Sequence, residues 1–178
     1  MQIVLIRHTP TAAREGTCYG HLDLPLADDA SASIAATLAN VTRTDEVFSS
    51  PSQRCAVLAR ALAERDGSPL TLAPQIQELN FGAWEGLSWS EIPRALSDPW
   101  SEDAWNRAPP GGETEQALWQ RVEAWRKAAL AGKTGRVAIV AHAGSLRILR
   151  CQLLGFEPAH RWSWRIGYGE TESITPCS

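Results

Sequence analysis

The sequence predicts a three-layer α/β/α domain with a mostly parallel central sheet. Met1–Arg7 and Arg136–Ala141 are short, almost wholly aliphatic runs, which favour buried strands over helices. Segments with a helical spacing of apolar residues alternate with these runs and with two weaker strand-like ones. Such alternation is typical of α/β folds built on a parallel sheet. The length of 178 residues fits one domain over positions 1–178.

In the first half of the chain, the predicted strand Met1–Arg7 is followed by a loop. Residues 8–27 contain two prolines and two glycines and are expected to form a long functional loop. Asp28–Val41 has apolar residues at helical spacing, and Glu46–Ser49 predicts the second strand. A helix is predicted to begin at Pro51, because Ser50 and the glutamine three residues later have the spacing of a capping box.

The second half follows the same alternation with one interruption. Leu70–Ala73 predicts a weak third strand. Residues 88–112 hold four prolines and two glycines, which indicates a lid-like excursion. Thr114–Ala131 and Ser145–Leu154 are predicted helices on either side of the second aliphatic strand. Residues 162–175 are expected to form two edge strands.

Composition excludes several classes of partner. The 17 Lys and Arg residues against 20 Asp and Glu residues give a formal net charge of -3, whereas binding to a nucleic-acid duplex requires a basic face. No stretch approaches the roughly 20 apolar residues of a membrane span, and the Ile3–Ile6 run is too short for a signal peptide. We therefore expect a cytoplasmic protein without nucleic-acid or membrane partners. Its oligomeric state stays open, with a homodimer as one option.

The cysteines and a P-loop-like tripeptide do not indicate a metal or cofactor site. No two cysteines have C-x-x-C spacing, so neither a zinc site nor thioredoxin chemistry is predicted for Cys18, Cys55, Cys151 and Cys177. In the cytoplasm their thiols are expected to be reduced. Gly132–Thr134 resembles the end of a P-loop but precedes a strand instead of following one. We predict no cofactor and no metal.

Charged side chains follow the predicted strands at the points where the strands end. Arg7 and His8 end the first strand, and His142 follows the second aliphatic run. Arg54 lies in the first turn of the helix after the second strand, and Glu78 follows the weak third strand. Ligands of open α/β sheets bind outside the carboxyl ends of the strands. The sequence therefore predicts two imidazoles, two guanidinium groups and one carboxylate on a shared rim.

This set of side chains suits phosphoryl transfer without a metal. Arginine side chains match phosphate oxygens in pairs, and a neutral imidazole can attack phosphorus to form a phosphohistidine. A carboxylic acid can protonate the leaving alkoxide and then, as carboxylate, take a proton from the attacking water. Taken singly, each residue is more often a structural histidine or a solvated charge. Their joint placement at one sheet edge favours a site.

Four sequence blocks resemble the motifs of the histidine phosphatase (phosphoglycerate mutase-like) superfamily, in that family's order: Leu5–Thr9, Ser49–Arg54, Glu78–Gly86 and Val140–Gly144. Three further blocks are similar, more narrowly, to the α-ribazole phosphatases of cobalamin biosynthesis: Cys18–Leu26, Pro109–Thr114 and Gly167–Glu170. The resemblance implies a phosphoglycerate mutase-like fold. It also implies a phosphomonoesterase that releases inorganic phosphate from a small ester, with α-ribazole 5′-phosphate as the expected substrate.

The resemblance assigns a role to each rim residue. It implies that His8 is the phosphorylated nucleophile and that Glu78 is the proton donor. It implies that Arg7, Arg54 and His142 bind the phosphoryl group. Three alternative functions stay open: a broad-specificity phosphatase of the same family, a phosphoglycerate mutase-type isomerase and an inactive phosphate-binding module.

Two positions depart from the family's usual pattern. Thr9 stands where the family commonly has glycine, and we expect its hydroxyl to contact the phosphate. Arg14 stands where the family commonly has a phosphate-contacting asparagine. Two interpretations of Arg14 stay open, because it either reaches the phosphate or is simply solvated. The same holds for the tryptophans of the excursion, which either pack it down or form a wall for an aromatic leaving group: Trp89, Trp100 and Trp105.

Overall fold

In a computed structural model that describes residues 1–176, five strands form one sheet in the order β3-β2-β4-β1-β5. The strands are β1 (Gln2–Arg7), β2 (Glu46–Ser49), β3 (Leu70–Leu72), β4 (Arg136–Ala141) and β5 (Thr171–Ile174). The first four run parallel to one another, and β5 pairs antiparallel with β1. The predicted mostly parallel sheet is confirmed.

Helices cover both faces of this sheet. They are α1 (Ala30–Ala39), α2 (Gln53–Asp66), α3 (Arg94–Glu102), α4 (Glu115–Ala129) and α5 (Ala143–Leu154). Short 3-10 turns lie at Pro74–Ile76, Gly82–Trp84 and Pro158–Ser163. Side chains alternate between the faces of β1, as the pleat of a strand requires. Ile3 and Leu5 share a core with α4 and α5, whereas Val4 and Ile6 share a second core with α1 and α2. The result is the predicted three-layer α/β/α arrangement.

The predicted start of the second helix is wrong by two residues. α2 begins at Gln53, with Ser52 in the cap position and no side-chain capping bond. The hydroxyl of Ser50 lies 2.8 Å from Nε2 of His142. Ser50 therefore contacts the predicted site and does not cap the helix.

Only one of the two edge strands predicted within residues 162–175 is present among the described residues, and it is β5. The segment before β5 crosses the end of β1 instead. There the Gly169 amide donates to the carbonyls of Arg7 and His8, and the Ile166 carbonyl accepts from the Arg7 side chain at 2.8 Å. These backbone groups form hydrogen bonds with Arg7 and His8, and so they do not pair with a neighbouring strand.

The segment 88–112 contains α3, and none of the residues of this helix is fully buried. Trp100 in α3 contacts Phe81 and Trp84 edge-on, with ring centroids 5.8 and 5.4 Å apart. These contacts fasten the excursion to the turn after β3. Its action as a lid stays a prediction.

Three of the four cysteines fall within the described residues. Cys18, Cys55 and Cys151 are buried free thiols, and Cys177 lies outside the described residues. Between residues 1 and 176, no helix is both long and apolar enough to cross a bilayer.

Asp66, at the end of α2, anchors the loop that precedes β2. Its carboxylate accepts from the amide and the hydroxyl of Thr44, both at 2.8 Å, and from Arg65 Nε at 2.7 Å. Burial alone would raise the pKa of Asp66, but the bonds from Arg65 and Thr44 outweigh it and lower this pKa to about 2. The ionised carboxylate therefore stabilises the folded state above about pH 4, and this contribution is lost as the pH falls towards 2.

We predict that Asp66→Asn lowers the free energy of unfolding by about 2 kcal/mol at pH 7, because hydrogen bonds to a charged group are lost. The difference from the unsubstituted protein should shrink between about pH 4 and pH 2, where Asp66 itself becomes protonated. Urea unfolding across this range measures both effects. The exposed Asp28→Asn variant is the control. A deficit that does not change with pH would contradict the account.

Candidate active site

Five of the seven predicted site residues line one cleft at the carboxyl edge of the sheet. The cleft has a volume of about 350 Å³, and its walls include Arg7, His8, Arg54, Glu78 and His142. Arg7 is the last residue of β1, and the parallel register with β4 places it beside the residue that precedes His142. The predicted rim is therefore present as a single cavity.

The orientation of the His8 ring is fixed by a bond that the ring makes to the backbone. Nδ1 lies 2.8 Å from the carbonyl oxygen of Thr9. Because a carbonyl only accepts, Nδ1 of the neutral ring carries the proton, and the lone pair is on Nε2. Burial lowers the pKa of His8 to about 3; the Thr9 carbonyl opposes this shift, and the charges of Arg54 and Arg7 add to it. The imidazole is therefore neutral at physiological pH.

The second imidazole, His142, lies against the first. Their ring centroids are 5.1 Å apart, within joint reach of one phosphate-sized anion. Nδ1 of His142 accepts from Arg54 Nε at 3.2 Å, so the ring proton of neutral His142 is on Nε2, which faces the Ser50 hydroxyl. Burial, followed by the proximity of His8 and Arg54, holds the pKa of His142 well below its ordinary value.

Arg54 carries a guanidinium group that is completely buried. Its terminal nitrogens donate to the carbonyls of Leu22 at 3.0 Å and Gly20 at 2.5 Å, while the carboxylate of Asp23 stays 4.0 Å away. Gly20 and Leu22 belong to the loop formed by residues 8–27. A Cβ atom at position 20 would lie 1.8 Å from the Leu79 carbonyl oxygen, so only glycine allows the loop to approach Leu79 this closely. The positive charge is therefore held by neutral carbonyls and remains available to an anion.

Glu85 holds the same loop from its other side. Its carboxylate accepts from four backbone amides, those of Gly20, His21, Leu22 and Phe81. Burial alone would raise the pKa of Glu85, but these four donors outweigh it and lower the pKa. No role was predicted for Glu85 from the sequence, although it lies within the family-like block Glu78–Gly86. Its contacts with the 8–27 loop depend on how two segments distant in sequence pack together, so they could not be predicted from the sequence.

Arg7 is held by a tyrosine that the sequence analysis also missed. Arg7 Nη1 donates to the Ile166 carbonyl, and its guanidinium lies 3.8 Å from the ring centroid of Tyr168. The same ring is 5.3 Å from that of His8, and its hydroxyl is 3.0 Å from the Tyr19 hydroxyl. Both tyrosines line the cleft. They lie in two of the three blocks that resemble α-ribazole phosphatases, and this location was the only indication of their role in the sequence.

The carboxylate of Glu78 lies beside the N-terminus of α5. Its carboxylate accepts from the amide of Leu79 and from the amide of Gly144, both at 2.9 Å. A Cβ atom at Gly144 would lie 2.3 Å from Oε1 of Glu78, so the glycine makes room for the carboxylate. The positive end of the helix dipole is close to this group. The structure thus directs Glu78 into the cleft.

The other two predicted site residues do not line the cleft. Thr9 is fully buried, and its hydroxyl has no hydrogen-bond partner among residues 1–176. Arg14 is exposed and lines a separate cavity of about 310 Å³, whose walls also include Tyr19 and Tyr168. Contacts of Thr9 and Arg14 with phosphate stay predictions.

The three tryptophans of the excursion differ in position. Trp89 lines the cleft, and Trp100 stacks behind it with ring centroids 5.7 Å apart. Trp105 contacts the ring of Trp119 at 5.9 Å and is not part of the cleft wall. Of these three tryptophans, only Trp89 therefore forms part of the wall of this cleft.

The cleft combines neutral imidazoles, two guanidinium groups and a carboxyl group, a set of side chains that can carry out phosphoryl transfer. Among the residues that the structure describes, no three His, Cys, Asp or Glu side chains cluster as metal ligands.

The chain belongs to the histidine phosphatase superfamily (branch 1), whose family model matches residues 3–176. Together the fold, the site and the family define a phosphatase that acts on small phosphate esters and releases phosphate.

More narrowly, the chain is 29% identical to the adenosylcobalamin/α-ribazole phosphatase of Salmonella typhimurium, over 99% of this chain and 91% of that protein. It is 28% identical to a glucosyl-3-phosphoglycerate phosphatase of Mycolicibacterium vanbaalenii, over 97% of this chain and 82% of that protein. The crystal structure of α-ribazole phosphatase from Shigella flexneri superposes with a TM-score of 0.89 at 27% identity, over 98% of this chain and 90% of that one. The predicted family and its phosphoglycerate mutase-like fold are confirmed.

We predict that Gly144→Ala displaces the Glu78 carboxylate and so acts like a loss of the acid. Hydrolysis of alkyl phosphates, whose leaving groups need protonation, should fall about 100-fold, and hydrolysis of p-nitrophenyl phosphate should fall much less. Steady-state kcat on both substrates measures this contrast.

Glu78→Gln is the matched reference for this variant. The double variant should lose little beyond either single change, because both remove the same function. Equal losses on both substrates, or fully additive losses in the double variant, would show that Gly144 acts elsewhere.

Proposed function

We propose that the protein is a phosphomonoesterase that acts through a phosphohistidine at His8, without a metal ion. The observation that carries this proposal is the bond from His8 Nδ1 to the Thr9 carbonyl, which leaves the Nε2 lone pair unprotonated. The cationic side chains of Arg7 and Arg54 line the same cleft.

In the first step, the phosphoryl group of the ester binds between Arg7, Arg54 and His142. His8 Nε2 attacks phosphorus, the P–N bond forms and the bond to the ester oxygen breaks. Protonated Glu78 donates its proton to that oxygen, so the alcohol leaves neutral. The two arginines stabilise the charge on the phosphoryl oxygens as it shifts during the transfer.

In the second step, water attacks the phosphohistidine from the side that the alcohol has left. The Glu78 carboxylate takes a proton from the water, the P–N bond breaks and its electron pair returns to Nε2. Inorganic phosphate is released, and the enzyme is back in its starting protonation state. Neutral His142, held by Arg54 and Ser50, stays beside the phosphoryl group through both steps.

For the substrate we propose α-ribazole 5′-phosphate. Full-length similarity to proteins named α-ribazole phosphatase supports this choice, as does the match in fold. The second candidate is a broad-specificity phosphatase of small esters. Nearly equal identity to a glucosyl-3-phosphoglycerate phosphatase favours that candidate.

We predict that His8→Ala abolishes turnover and that rapid acid-free quenching of the unsubstituted protein traps acid-labile phosphate on His8. Activity should be unchanged by EDTA, because no step uses a metal. The exposed His160→Ala variant is the control and should retain the trapped phosphate. Phosphate on any other residue, or loss of activity on chelation, would contradict the mechanism.

We predict that kcat/KM for α-ribazole 5′-phosphate exceeds that for glucosyl-3-phosphoglycerate by at least about 100-fold, the range that well-placed polar and apolar contacts provide. Phosphate release from the two esters, compared under identical conditions, measures this ratio. Similar values for both esters would favour the broad-specificity phosphatase instead.

A further inference from the structure

A second cavity adjoins the catalytic cleft at Glu78. It has a volume of about 120 Å³ and mostly apolar walls, which include Leu79, Phe81, Trp100, Leu118, Ile148 and Trp162. Glu78, Phe81 and Arg147 line both cavities, so the two meet at these side chains. The catalytic mechanism proposed above uses none of the apolar residues.

The geometry of phosphoryl transfer connects this apolar cavity with the leaving group. The attacking and leaving atoms lie roughly in line on opposite sides of phosphorus. With His8 on one side, the ester oxygen must lie on the other, beside Glu78, which protonates it. The remainder of the alcohol then extends past Glu78, where the apolar cavity begins.

Arg147 is the cationic residue at the junction. It lies three residues after Gly144 in α5, so both face the same side of the helix. Its side chain makes no hydrogen bond or ion pair with any residue between 1 and 176, and its buried Nε has no partner. Its guanidinium lies 4.7 Å from the ring centroid of Trp162. A half-buried guanidinium whose N–H groups have no acceptor in the protein points to an acceptor in a ligand.

The neighbouring charges do not supply that partner. Glu115 on the cavity wall is bonded to Arg161, whose Nε lies 2.8 Å from Oε2 of Glu115. The Glu78 carboxylate accepts from the amides of Leu79 and Gly144 and makes no hydrogen bond with Arg147. Trp100 adds a second unsatisfied donor, since its buried Nε1 has no partner among the described residues. The cavity thus offers flat aromatic walls and donors that need acceptors.

We infer that this apolar cavity, with Arg147 on its wall, binds the leaving group of the substrate. It selects esters whose alcohol carries a planar nitrogen heterocycle. The ring packs against Phe81, Trp100 and Trp162, and its acceptor atoms meet the guanidinium of Arg147. This inference rests on the proposed phosphatase function and names the part of the molecule that chooses its substrate.

The test compares a benzimidazole ribonucleoside 5′-phosphate with ribose 5-phosphate. Both are phosphate esters of the 5-hydroxyl group of ribose, so the bond that breaks is the same in each. They differ in the benzimidazole, which only the nucleotide carries. For the unsubstituted enzyme, kcat/KM should favour the ring-bearing ester by roughly 10- to 100-fold, as burial of an aromatic group provides. Trp162→Ala and Arg147→Gln should each lower this ratio at least about threefold.

The ratio separates selection from chemistry, because a variant that impairs catalysis on both esters leaves it unchanged. Trp162 is 57% exposed, so its removal should not unfold the protein, and thermal melting checks both variants. Exposed residues outside the cavity serve as matched controls, in the variants Phe156→Ala and Arg60→Gln. These controls should keep the ratio of the unsubstituted enzyme.

Two kinds of failure are distinguishable. A ratio near one in the unsubstituted enzyme, or an unchanged ratio in either Trp162→Ala or Arg147→Gln, would overturn this inference and leave the phosphatase activity standing. Release of phosphate from neither ester by the folded enzyme would overturn the proposed function and this inference with it.

Discussion

The buried guanidinium of Arg54 is the interaction on which the site depends. A charge without solvent is tolerated only when it is hydrogen-bonded, and here its bonds go to the carbonyls of Gly20 and Leu22 and to His142. The loop must therefore stay against α2, and Glu85 holds it there through the backbone amides. Because these hydrogen bonds go to neutral groups and the Asp23 carboxylate stays 4.0 Å away, the site keeps a positive charge that can bind a phosphoryl group.

The burial that raises the free-energy cost of the Arg54 charge also lowers the pKa values of the two histidines. Burial lowers the pKa of His8 to about 3, so the ring is neutral without any base to deprotonate it, as the proposed nucleophile must be. Glu78 is placed differently, at the junction of the cleft and the apolar cavity, where it can meet the leaving oxygen. One sheet edge thus offers a dry environment to His8 and a partly open one to Glu78.

The catalytic rim could be predicted because it depends on local patterns. Aliphatic runs mark β1 and β4, and the carboxyl ends of parallel strands must share an edge, which brings Arg7 and His142 together. Tyr168, Glu85 and Arg147 could not be assigned in this way, because their contacts depend on how long irregular segments pack. The missing edge strand has the same origin, since the segment before β5 uses its polar backbone groups on the end of β1.

The central claim is that the Thr9 carbonyl fixes the His8 ring with Nε2 as the attacking atom. The most direct test is NMR of the phosphoenzyme with ¹⁵N-labelled histidine, in which coupling between ³¹P and ¹⁵N identifies the phosphorylated nitrogen. The account predicts phosphorus on Nε2 of His8 and a proton on Nδ1. Phosphorus on Nδ1 would contradict it, since that nitrogen is engaged with the backbone in the structure.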